Sequence, residues 1–100
     1  MLFVFSGLPG TGKTTIAKGL VDTLGALYLR IDTIEQAIRN LGALAQDVAR
    51  SGYMVASEVA LSSLNLGRTV IVDCVNPVIE RRIAWSDIAL RAGVRLMKLK

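Results

Sequence analysis

Residues 7–14 read Gly-Leu-Pro-Gly-Thr-Gly-Lys-Thr, and Gly7, Gly12, Lys13 and Thr14 complete the pattern G-x-x-x-x-G-K-[ST]. That spacing suits a polyphosphate. Glycines at 7, 10 and 12 let the backbone turn tightly and approach phosphate oxygens closely. Consecutive N–H groups from Gly7, Leu8, Pro9, Gly10, Thr11 and Gly12, proline's missing donor excepted, then form an anion-binding concavity. A helix opening at the end of the loop adds its positive dipole end. Lys13 brings a mobile ammonium to the β- and γ-phosphates, and Thr14 a hydroxyl for Mg²⁺.

Two carboxylates complete the constellation. Asp32 follows Arg30-Ile31, and Asp73 ends the run Thr69-Val70-Ile71-Val72. In a parallel α/β sheet, ligands bind at the carboxyl ends of the strands. Two acids at such ends, beside a phosphate loop, suit phosphoryl transfer: one orients or deprotonates the accepting hydroxyl, the other helps to hold Mg²⁺. Each has a plainer reading. Asp32 with Glu35 forms a capping box in carboxylate form, and Asp73 could simply begin a turn. Arg39, two turns along the helix of Asp32, could clamp an anionic substrate or be a surface arginine. Asn76 reads as a cap, Trp85 as core and Cys74 as packing.

The elements that must position these residues follow from periodicity. Leu2–Phe5 is an apolar strand entering the loop, and 15–24 reads as a helix with Ile16, Leu20 and Leu24 on one face and Ala17 and Val21 beside them. Leu27–Ile31 is a second strand, and a short helix runs from Asp32 to about Leu41. A polar-rimmed connection is expected from Ala43 to Gly52. Ser57, Ala60, Leu61 and Leu64 recur at helical spacing up to Gly67. Thr69–Asp73 is a third strand, continuously apolar until its last residue, as a doubly covered strand should be. Asn76-Pro77 opens a further helix carrying Ile79, Ile83 and Trp85 to Leu90, and Val94–Leu99 is a fourth strand. Arg95, Lys98 and Lys100 mark it as an edge, open to pairing between copies in a homo-oligomer. Alternating strands and helices predict a three-layer α/β fold around a parallel sheet.

Bulk composition agrees with one domain, residues 1–100. The chain is 52% hydrophobic, enough for a core, yet no apolar run approaches a membrane span. Met1–Phe5 lacks a basic leader, which predicts a cytoplasmic protein without a membrane partner. With no histidine and one cysteine, neither a zinc cluster nor an internal disulfide is expected. Proton transfer therefore falls to a carboxylate, a lysine or the substrate. The net charge of +4 suits anionic small molecules. Nucleic acid is disfavoured, because Arg81-Arg82 is the sole adjacent basic pair and Trp85 its nearest aromatic.

Three stretches, Phe5 to Thr15, Arg30-Ile31-Asp32 and Thr69 to Pro77, resemble the P-loop small-molecule kinases, in the AAA-type ATP-binding group that includes adenylylsulfate kinase, shikimate kinase, chloramphenicol phosphotransferase and polynucleotide kinase. The resemblance implies a nucleoside-kinase-like P-loop NTPase sheet of strand order 2-3-1-4. It also implies Mg²⁺-ATP as donor, Thr15 near the α-phosphate and Asp32 as the acid at the acceptor hydroxyl. Relatives continue past the fourth strand with an arginine-bearing lid, a fifth strand and an adenine loop, so the domain is expected to be incomplete at its C-terminus, with weak nucleotide binding and poor turnover. The expected function is γ-phosphoryl transfer to a small-molecule hydroxyl or similar acceptor. The alternatives are a nucleotide-binding module without turnover and a polynucleotide 5′-hydroxyl kinase. A motor-type ATPase is disfavoured, since Cys74 stands where the water-activating Glu would follow Asp73.

Overall fold

Four parallel strands in the order β2-β3-β1-β4 form the centre of the computed structural model, which describes residues 1–6, 12–42, 45–74 and 79–99. The strands are β1 (Leu2–Ser6), β2 (Leu27–Arg30), β3 (Val70–Cys74) and β4 (Leu96–Leu99), joined by helices α1 (Lys13–Leu24), α2 (Ile31–Asn40), α3 (Ala45–Asn65) and α4 (Ile79–Ala92). The expected 2-3-1-4 order is therefore the observed one. β3 and β1 lie at the centre, and all five residues of β3 are buried, which explains why its sequence is apolar on both faces.

Strand side chains alternate between the two faces. Phe3, Phe5 and Ile71 meet Ala17, Leu20 and Val21 of α1. Leu2, Val4, Val70, Val72 and Cys74 pack on the opposite side with residues of α2, α3 and α4. The chain passes from β1 to β2 by α1 on one face, and returns from β2 to β3 and on to β4 by helices on the other. Trp85, 1% exposed, anchors the second layer and meets the Tyr53 ring edge-on at 5.5 Å.

Four sequence expectations are corrected. On α1 the buried stripe is Ala17 with Leu20 and Val21, while Ile16 and Leu24 are about half exposed. Ile83 of α4 also faces outward. Helix α2 begins at Ile31 with Arg30 as its N-cap and no side-chain capping bond, so Asp32 is inside the first turn and the capping box does not form. Most of the expected connection 43–52 is helix, because α3 starts at Ala45.

The last correction has a clear cause. Val48, Gly52, Ala56, Ala60 and Leu64 recur every fourth residue and are all buried, which is the spacing of one helix face. Gly52 is there because α2 crosses at that point. A Cβ at Gly52 would lie 2.8 Å from Glu35 Cγ and 3.8 Å from the Glu35 backbone, so a side chain here would force Glu35 to shift. The Asn76-Pro77 cap and Lys100 lie outside the described residues.

Candidate functional site

Adjacent strands whose following helices depart to opposite faces open a crevice at their carboxyl ends. Here those strands are β1 and β3: α1 covers one face, and α4 the other. Their register pairs Phe5 with Asp73 and Ser6 with Cys74. The strand leading to the phosphate loop thus runs directly beside β3, in which Asp73 is the next-to-last residue. Gly7, Leu8, Pro9, Gly10 and Thr11 lie outside the described residues, as does the side chain of Lys13.

The described side of the loop is Gly12 and the entry of α1. Gly12 adopts φ 82, ψ 0, a left-handed conformation that glycine enters without Cβ strain. It is the N-cap of α1, makes no side-chain capping bond, and has no acidic residue in the turn after it. The first N–H groups of the helix carry the positive dipole end, and no carboxylate of that turn neutralises it. Thr14 and Thr15 are exposed there.

Asp73 is 8% exposed. Strand alternation puts it on the α1 face with Ile71, and it accepts a 2.7 Å hydrogen bond at Oδ2 from the Tyr28 hydroxyl of β2. Tyr28 pairs in register with Ile71, one pleat below Asp73 on the same face. Burial, first, and then the hydrogen bond and charge of Asp73 push the Tyr28 phenol up to about 12, with Arg30 opposing. The phenol is a firm donor at any physiological pH. Sequence reasoning missed Tyr28: it reads as an ordinary strand aromatic until the pairing of β2 with β3 is known.

Arg30 is the register partner of Asp73, so Asp32, two residues on, stands at the same sheet edge one strand over. Asp32 is exposed and borders an open recess of about 440 Å³, lined among the described residues by Asp32, Thr33, Gln36, Ala37 and Asn40. Arg39 is half exposed and reaches Glu35 at 3.6 Å across one helical turn. Such a surface pair is weak, about 0.3–0.5 kcal/mol. Among the described residues no group of three or more Asp, Glu, Cys or His residues forms a metal cluster. A cation here would be held by one carboxylate, hydroxyls and its own ligand, as Mg²⁺ commonly is. No described helix is long and apolar enough to cross a membrane.

The chain matches the AAA domain family over residues 2–98. It is similar to an uncharacterized protein of Mycobacterium tuberculosis, at 29% identity over 94% of this chain and 20% of that protein. A bifunctional polynucleotide phosphatase/kinase of Schizosaccharomyces pombe is 30% identical over 88% of this chain and 18% of its own length. The chain therefore spans about a fifth of the length of these curated relatives. Among solved structures, the APS kinase of Mycobacterium tuberculosis superposes with a TM-score of 0.75 at 22% identity, covering 97% of this chain and 71% of the kinase. The glycine-lysine loop, the 2-3-1-4 sheet and the match along almost the whole chain make this protein a member of the AAA domain family, a P-loop domain of kinase-like fold.

Proposed function

We propose that this domain binds a nucleoside triphosphate, ATP by family likeness, and transfers its γ-phosphoryl group to a hydroxyl of a small acceptor. The observation that carries the proposal is the pairing of an acid-free, left-handed helix entry at Gly12 with a buried carboxylate, Asp73, on the adjacent strand. The first would offer N–H donors and a positive dipole end to an anion, and the second is a charge that a metal-bound triphosphate would offset.

In this reading Gly7, Leu8, Pro9, Gly10, Thr11 and Gly12 wrap the phosphates, and Lys13 draws the β- and γ-oxygens together. Thr14 and Asp73 would hold Mg²⁺, and Thr15 would donate to the α-phosphate. The buried Asp73 and the exposed Thr14 hydroxyl suit that hard cation. When bound, Mg²⁺ neutralises charge developing on the bridging and γ-oxygens. Asp32 orients the acceptor hydroxyl and takes its proton. The acceptor oxygen bonds to Pγ, the bond from Pγ to the β-bridging oxygen breaks, and the nucleoside diphosphate leaves. Arg39, on the same helix as Asp32, is a candidate for anionic substituents once it leaves its pair with Glu35. A cytoplasmic setting fits such a substrate.

The name of the fission-yeast relative supports a second reading, phosphorylation of a polynucleotide 5′-hydroxyl. A screen for acceptor-dependent ADP release tests both, using sugars, nucleosides and a 5′-hydroxyl oligonucleotide. Transfer to one class identifies the acceptor, and Asp32→Asn should then lower turnover about 10²–10⁴-fold, the usual worth of a general base, with ATP binding retained. Nucleotide binding with no ADP from any acceptor would make the domain a binding module without turnover.

A further inference from the structure

We infer that Tyr28 is a positioning residue for the metal-bound nucleotide, acting through the carboxylate of Asp73. The inference rests on the proposed role of Asp73. The 2.7 Å bond from the Tyr28 hydroxyl to Asp73 Oδ2 joins β2 to β3 across 45 residues of sequence. Its geometry is set by the sheet. Arg30 and Asp73 are register partners and Tyr28 is two residues earlier, so the phenol reaches diagonally along one face to the carboxylate at the strand end. The ring packs against the Phe3, Phe5 and Ile71 cluster, which leaves it little freedom to swing.

Three consequences follow from this contact. A donor on Oδ2 fixes the plane of the carboxylate, so the acid meets a cation without first losing rotational freedom. It also gives a buried carboxylate a partner that cannot compete with the cation for charge, since the phenol is neutral. A lysine or arginine in the same place would offset the charge that the metal needs. Tyr28 further links β2, the strand that leads into the helix of Asp32, to β3, which carries Asp73. The acceptor side and the metal side of the crevice are thereby held in one register.

Tyr28→Phe keeps the ring and removes the donor. Calorimetric titration of ATP at a series of Mg²⁺ concentrations, and again in EDTA, separates positioning from packing. Partners of a metal ligand typically contribute about 10–100-fold to metal affinity, so the variant should need roughly tenfold more Mg²⁺ for half-maximal ATP binding. Its affinity for ATP in EDTA should match the wild type, and Tyr53→Phe should leave both values unchanged. Thermal unfolding of each variant reports the packing contribution separately. If Tyr28→Phe alters thermal stability while its Mg²⁺ dependence stays that of the wild type, Tyr28 is structural and the inference fails alone. If the wild type itself binds ATP no better with Mg²⁺ than without, the role of Asp73 fails and takes this inference with it.

Discussion

A carboxylate buried at the end of a central strand must be compensated, and Tyr28 supplies part of that compensation at Asp73. Burial of the phenol, with the bond to Asp73 second, makes the fold sensitive to alkali. The phenol's value rises from 10.0 to about 12 in the folded chain, so the native state favours the protonated form. This contribution to stability is complete below about pH 10 and is lost as pH rises through about 12. Denaturant midpoints measured across that window, in metal-free solution, should fall in the wild type and fall less in Tyr28→Phe. Parallel curves for the two proteins would contradict the assignment. Residue types alone identified Asp32, Asp73 and the loop glycines as candidates. They did not identify Tyr28, whose significance comes from register, and register is a property of strand pairing rather than of local sequence. Trp85 and Cys74 were readable as core because tryptophan, for its large apolar ring, and cysteine, as a small hydrophobe, are both usually buried.

Among the elements, α3 holds the second layer together. Its buried stripe of Val48, Gly52, Ala56, Ala60 and Leu64 narrows in the middle, and α2 lies across that narrow part. Glycine's poor helix propensity argued for a break at Gly52, but contact with α2 overrides it. Sequence periodicity could not reveal this, because the neighbour at Glu35 is seventeen positions away in a different helix. A large side chain at this crossing would push the helices apart. Gly52→Leu should therefore lower unfolding free energy by about 1–3 kcal/mol, the usual cost of overpacking. Denaturant unfolding followed by Trp85 fluorescence measures this directly, since Trp85 is the chain's sole tryptophan and is buried. Stability equal to or above wild type would show that the helices separate freely. The start of α2 teaches a similar lesson. Asp32 and Glu35 have capping-box spacing, yet the helix begins one residue earlier, and Glu35 turns to Arg39 and the Gly52 crossing instead. The strand feeding directly into the helix sets the boundary, which leaves Asp32 exposed at the recess rather than committed to a backbone N–H.

The whole molecule was the most legible level. A run of strand, glycine loop and helix, followed by further strands alternating with helices, admits few parallel arrangements, and resemblance to the P-loop kinases narrowed these to 2-3-1-4. The observed sheet has that order. Connections on opposite faces of β1 and β3 then bring the helix entry at Gly12, Asp73 and Asp32 to the same carboxyl-end edge of the sheet, where a crevice is expected. The acceptor is less legible, because the recess along α2 presents hydroxyl and amide groups that suit many hydroxylated molecules. The central claim is that this crevice binds a triphosphate. Titration calorimetry of Mg²⁺-ATP into the 100-residue chain, with ADP and AMP for comparison and Lys13→Ala as control, tests it most directly. The account predicts saturable ATP binding that is tighter than ADP, tighter again than AMP, and lost in Lys13→Ala with the fold intact. Equal affinity for the three nucleotides, or unchanged ATP affinity in Lys13→Ala, would contradict it.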